Sequence, residues 1–308
     1  MTAAGATLAI DVGGTSVRTA IIDHDRGIID RDSQPTASGA LADLVAGSVS
    51  RLIARNPAAA SGIDAAGVGV PEYVDRSRVT SSEVIDWDDA ILSLIFGLVR
   101  DATGRSIAVV VESDVRCGAI AEHALLADPG SESLLYVSWG TGISSSLVLP
   151  GGLCWPGAHG RALALGEWQV TVHDTGTLAR LEDVVSGGGI SRRFDASGPE
   201  VREATPTERI SELADEGVES ARALLTIAGA ELSSALVKLV DVLDPSRIVV
   251  GGGLGTADTL AGRTLFDRFA DSRVGRPATP ISAARHGHDS GLFGIARVAR
   301  AMNSANHP

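Results

Sequence analysis

The stretch Leu8-Ala-Ile-Asp-Val-Gly-Gly-Thr-Ser-Val-Arg-Thr-Ala-Ile-Ile-Asp23 sets two apolar runs, Leu8–Val12 and Val17–Asp23, on either side of a Gly13-Gly14 turn. Runs of this kind read as two strands joined tightly, and a glycine turn lets backbone amides come close to a phosphate. The plan recurs at Trp139-Gly-Thr-Gly142, between Leu134–Ser138 and Ile143–Leu149. A repeated strand, glycine turn, strand unit suggests two halves of one design.

Around these units the chain alternates. Leu41–Ala54 and Ala90–Arg100 have helical spacing, Ala65–Val70 and Ile107–Val111 read as buried strands, and a helix is expected from about Asp114 to Ala127. After the turn-rich Asp128-Pro-Gly-Ser-Glu132 come the second unit, a long helix within Glu219–Leu243, a strand at Arg247–Val250 and a turn at Gly251-Gly-Gly-Leu-Gly255. A terminal helix runs from about Ser290 to Met302. The order predicts an α/β protein. Gly151–Gly176, rich in Gly, Trp and His and without clear period, is the irregular kind of segment that carries function.

Composition narrows the chemistry. The 308 residues carry a formal net charge of −12, which argues against nucleic acid as a partner. Two cysteines, Cys117 and Cys154, can build neither a disulfide framework nor a cysteine-rich zinc site. With no basic leader and no stretch approaching the ~20 apolar residues of a membrane span, the expectation is a soluble, cytoplasmic protein without a membrane partner. The only lysine is Lys238, inside an apolar helical run, so neither a Walker loop nor a protein-kinase phosphate lysine can be made. The late Gly251–Gly255 turn lacks an acidic residue on a following strand, which weakens a dinucleotide reading.

Taken together, Asp11-Val-Gly-Gly-Thr-Ser-Val-Arg18, Gly140-Thr-Gly-Ile143 and Asp244-Pro-Ser-Arg-Ile-Val-Val-Gly-Gly-Gly-Leu254 resemble the two phosphate motifs and the adenosine motif of the ROK family. That family holds sugar kinases and sugar-responsive repressors. The resemblance implies two duplicated RNase H-like, actin/hexokinase-like domains with a cleft between them: residues 1–128, completed by the C-terminal helix 289–308, and residues 129–288. It implies ATP held by Asp11, Gly13, Gly14, Thr15, Gly140, Thr141, Gly142, Gly251, Gly252 and Gly253. Asp11 would serve Mg²⁺ through water, a habit that suits this ion.

The resemblance also assigns Asp114, in Glu112-Ser-Asp114, as the base that takes the proton from the attacking sugar hydroxyl. The plainer reading of Asp114 is a helix N-cap, and of Asp11 a turn-initiating aspartate. Ser113, Glu83, Glu167 and Glu182 are the implied sugar-binding residues beside Asp114. Two registers fit Gly157–Val170: in one Glu167 keeps the family's sugar glutamate, in the other it stands for the histidine and Ala164 for the glutamate. Either puts Glu167 in the pocket.

The sequence leaves the family pattern in places. His173, Thr175, Ala179 and Arg180 stand where zinc cysteines are usual, so no zinc site is expected. Glu72 replaces a glycine, Glu83 an asparagine and Ser113 an asparagine, which suggests a polar pocket with added carboxylates. His286 and His288 read as solvated loop residues. The leading expectation is an ATP- and Mg²⁺-dependent sugar kinase, with a homodimer implied by the resemblance. The alternative is a sugar-sensing or regulatory protein without turnover; the family's repressors place a helix-turn-helix ahead of the first glycine motif, where this chain has about ten residues. An actin-like ATPase is a further rival, disfavoured by the sugar-loop resemblance.

Overall fold

The structure, a computed structural model, describes residues 5–25, 27–172, 175–196 and 204–306. They form two compact units: residues 1–124, 156–162 and 289–308, and residues 125–155 and 163–288.

The first unit is built on β1 (Ala6–Val12), β2 (Ser16–Asp23), β3 (Gly27–Pro35), β4 (Ile63–Val70) and β7 (Val109–Ser113), in the order β3-β2-β1-β4-β7. A small ribbon, β5 (Val74–Asp75) with β6 (Arg78–Val79), follows β4. β1, β2 and β3 are antiparallel, whereas β4 and β7 run parallel to β1. β1 is buried along its whole length because both sheet faces are covered, which explains its unbroken apolar run. Helices Leu41–Arg55 and Ala90–Thr103 cover one face with a Val, Ile and Leu core. Helices Asp114–His123 and Ser290–Asn306 cover the other around Ala9, Ala20, Ala65 and Cys117. Small residues make that second layer thin: a Cβ at Gly294 would overlap the Cys117 carbonyl, and one at Gly67 would lie 2.7 Å from the Ile295 side chain.

The second unit repeats the plan with β8 (Leu134–Trp139), β9 (Ile143–Leu149), β10 (Leu153–Cys154), β13 (Arg247–Gly251) and β14 (Ile281–Ala283), ordered β10-β9-β8-β13-β14. β8 to β10 are antiparallel and β13 and β14 run parallel to β8, as in the first sheet. A separate ribbon pairs β11 (Gln169–Thr171) with β12 (Leu178–Arg180). It carries Ala179 and Arg180 from the expected zinc-loop positions; His173 lies outside the described residues. Contrary to the sequence reading, Glu219–Leu243 is long and apolar enough to cross a membrane by length and composition. More than half of that window is buried within the protein, and Leu225, Leu232, Leu236 and Leu239 belong to the second unit's core.

Several boundaries moved for physical reasons. The strand expected at Ile107–Val111 lies at Val109–Ser113, because β7 pairs with β4 from Ala66↔Val109 to Val70↔Ser113. The following helix starts at Asp114 as expected and ends at His123. Gly251–Gly255 is not only a turn: Gly251 ends β13 and Gly252–Thr256 forms one helical turn. The units divide between Ala124 and Leu125, and residues 156–162 group with the first unit, where the sequence reading had put them in the second. That strap has positive φ at Gly157 and Gly160, and any side chain at Gly160 would strike the Val74 carbonyl.

Candidate functional site

In the first unit, Asp11 is the last residue but one of its buried strand, opposite Arg18 of β2, and the two side chains form an ion pair. The Gly13–Thr15 turn between them is pinned by Gly13 N–H donating to the Ser16 carbonyl at 2.8 Å and by Thr36 Oγ1 donating to the Gly13 carbonyl at 2.7 Å. Gly14 and Thr15 are exposed at its tip. Asp11 is therefore a strand residue with a partner rather than a turn initiator. Burial raises its pKa above the usual carboxylate range, against the lowering by Arg18 and with a smaller push from Asp289.

Asp114 follows directly from β7. Ser113 is the N-cap and makes no side-chain cap bond, so Asp114 is the first helical residue and not the cap. Its Oδ1 accepts from the Val115 N–H at 2.6 Å. Burial, then the charge of Asp11, lift its pKa to about 7, against the Val115 amide and Arg18. Ser113 is buried. Arg116, one half-turn on, is buried; it pairs with Glu112 at 2.5 Å and donates to the Val74 carbonyl.

Glu72 corrects the polar-pocket reading. It is buried, and its two oxygens accept from the amides of Glu83 (3.0 Å), Val84 (2.6 Å) and Ile85 (2.9 Å) and from Ser81 Oγ. Burial works to raise its pKa, but these donors hold it below the usual glutamate range. Its carboxylate is spent on organising the 81–85 loop. Glu83 on that loop is exposed and pairs with Arg161 at 3.4 Å.

In the second unit the glycine turns come together. Gly140 N–H donates to the Gly142 carbonyl at 3.0 Å, closing the turn and leaving Thr141 exposed. A Cβ at Gly140 would lie 3.4 Å from Gly253 N. Gly252 has φ +78 and no room for a side chain against the Trp139 carbonyl, while a Cβ at Gly253 would meet open space. The helix Gly187–Ala196 starts beside them: Gly187 N–H donates to the Gly140 carbonyl (2.8 Å) and Gly188 N–H to the Thr141 carbonyl (2.9 Å).

Glu182 lies half-buried against the same turn. Its Oε1 would sit 2.8 Å from a Cβ at Gly142, and its Cβ 3.3 Å from one at Gly166. Glu167 is exposed and pairs with Arg180 at 3.3 Å. Sequence reasoning missed Arg18 and Gly187–Gly189. The signal for Arg18 was its register, since an alternating hairpin about a four-residue turn pairs residues 11 and 18. Gly187–Gly189 gave none beyond glycine content.

Two sheets with the same strand order, each opening on a glycine hairpin, define the duplicated actin- and hexokinase-like class of α/β proteins. Within that class the chain belongs to the ROK family, whose sequence model matches residues 7–302. A glucokinase of Streptomyces coelicolor is 29% identical over 96% of this chain and 98% of its own. An N-acetylmannosamine kinase of Escherichia coli is 25% identical over 96% and 98%. Among solved structures, a ROK hexokinase from Thermus thermophilus is 25% identical, covers 97% of this chain and 99% of its own, and superposes with a TM-score of 0.73.

Proposed function

We propose that the protein transfers a phosphoryl group from ATP to a sugar hydroxyl, with Asp114 as general base. The observation that carries this reading is the Asp114 carboxyl at the β7–helix corner, its pKa lifted to about 7. A base is most effective when its pKa lies near the working pH. The relatives named glucokinase and N-acetylmannosamine kinase support a sugar as acceptor.

Asp114 takes the proton as the sugar oxygen attacks the γ-phosphorus. Gly140–Gly142, and Gly13–Thr15 in the first unit, offer amides and hydroxyls to the phosphates. Gly253, where a side chain would stand in open space, gives a bare surface for adenine, and Gly252 beside it holds the left-handed backbone against Trp139. Phosphoryl transfer depends on positioning and charge stabilisation more than on covalent chemistry from the protein. Ser113, Glu83, Glu167 and Glu182 are assigned to the sugar.

Among the described residues no group of three or more His, Cys, Asp or Glu side chains is placed to hold a metal. Asp11 is already paired with Arg18. A Mg²⁺ arriving with the nucleotide would be held chiefly by its phosphates, with Asp11 reaching it through water. When bound it would neutralise developing charge on the transferring group.

The test is ADP release with ATP and Mg²⁺ across neutral hexoses, N-acetylhexosamines and ketoses. Sugar-dependent turnover that Asp114→Asn lowers by about 10²–10⁴-fold is expected; full activity in that variant refutes the base.

A further inference from the structure

Arg161 is joined to the 72–85 segment of the first unit by two side-chain contacts. Its guanidinium carbon lies 3.7 Å from the centroid of the Tyr73 ring, and its Nη2 is 3.4 Å from Glu83. A stacked guanidinium keeps its edge donors available while losing little freedom. The backbone beneath it is fixed twice over. Gly160, with φ +70, packs on the Val74 carbonyl, and Arg116 donates to that same carbonyl from the Asp114 helix. The Glu83 amide is in turn held by the Glu72 carboxylate, and the Tyr73 amide donates to Ser81 Oγ, which itself donates to Glu72.

We infer that Arg161, seated on Tyr73 beside Glu83, is a specificity-determining residue for the acceptor, and that the couple reads adjacent hydroxyls of an uncharged sugar. This rests on the kinase reading above. The chemistry follows from the pair. Glu83 can only accept a hydrogen bond and Arg161 can only donate, so together they match two neighbouring hydroxyls, one donating and one accepting. Their opposite charges cancel, so the couple itself offers an anionic sugar no uncompensated cation.

The experiment is steady-state kinetics of wild type, Arg161→Ala, Arg161→Lys and Glu83→Gln on neutral hexoses, N-acetylhexosamines and hexuronic acids, with calorimetric titration of the same sugars. Arg161→Ala is expected to raise the acceptor KM at least tenfold, with kcat within threefold and the KM for ATP unchanged. Lysine recovers little of this, because it lacks the planar fork. Glu83→Gln uncovers the cation and is expected to raise the hexuronic acid to hexose ratio of kcat/KM at least fivefold. An acceptor KM within twofold of wild type in Arg161→Ala, or an equal rise in the KM for ATP, overturns the inference while leaving the kinase reading intact. If wild type turns over no sugar, the kinase reading falls and titration decides the inference: neutral-sugar binding at least tenfold weaker in Arg161→Ala supports it, and equal or absent binding overturns it.

Discussion

A carboxyl that accepts a proton near neutral pH cannot also sit in its most stable form, and Asp114 is held in that tension by its neighbours. With its pKa near 7 Asp114 is mostly ionised only above that pH, so under the proposal that it is the base kcat/KM for the acceptor is expected to rise with pH up to about 7 and then level. A profile flat from pH 5.5 to 8.5 contradicts this. The same shift bears on stability. A folded pKa above the unfolded value means that the folded state binds the extra proton between about pH 4 and 7, and ionising Asp114 costs stability as pH rises through that window. Asp114→Asn should therefore raise Tm by a few degrees at pH 8 and leave it nearly unchanged at pH 4. Arg18 is the nearby cation that moderates both carboxyls, and Arg18→Ala is expected to shift the acid limb of the pH profile upward. An unchanged limb would remove Arg18 from the account.

Loops and strands explain which parts of this could be read in advance. The glycine hairpins were legible because β1 and β8 are buried on both faces and so must be apolar throughout. β3 was not, because it is an edge strand whose Asp30 and Asp32 face Arg51 and Arg55, leaving no apolar run to notice. The 72–85 loop was misread: Glu72 looked like a pocket carboxylate, and only tertiary contact shows it saturated by three amides and a hydroxyl. Glu72→Ala should leave those donors unpaired and lower stability by about 1–3 kcal/mol in urea unfolding. Since its pKa is held down, the Glu72 contribution is present above the ordinary glutamate range and lost as pH falls below it. In the second unit, Gly252→Ala meets both a left-handed backbone and the Trp139 carbonyl, so a loss above about 1 kcal/mol is expected with weaker nucleotide binding.

For the molecule as a whole, the duplicated plan was visible in two motifs and the family resemblance implied the return of the C-terminal helix, but the return of the strap 156–162 was not legible. The strap 156–162 and the helix Ser290–Asn306 return to the first unit, because Gly160 needs Val74 and Leu292, Ile295 and Ala296 complete the core over Ala9 and Ala65. A chain ending at residue 288 is expected to lose cooperative unfolding of the first unit, read by urea titration, since it uncovers the part of the sheet face that Leu292, Ile295 and Ala296 cover. The central claim is the identity of the base in an ATP-dependent sugar phosphorylation. It is tested most directly by single-turnover transfer from γ-labelled ATP to sugar in wild type and Asp114→Asn. The account predicts labelled sugar phosphate in wild type and a transfer rate about 10²–10⁴-fold lower in the variant, with ATP binding retained; transfer at the wild-type rate in Asp114→Asn would contradict it.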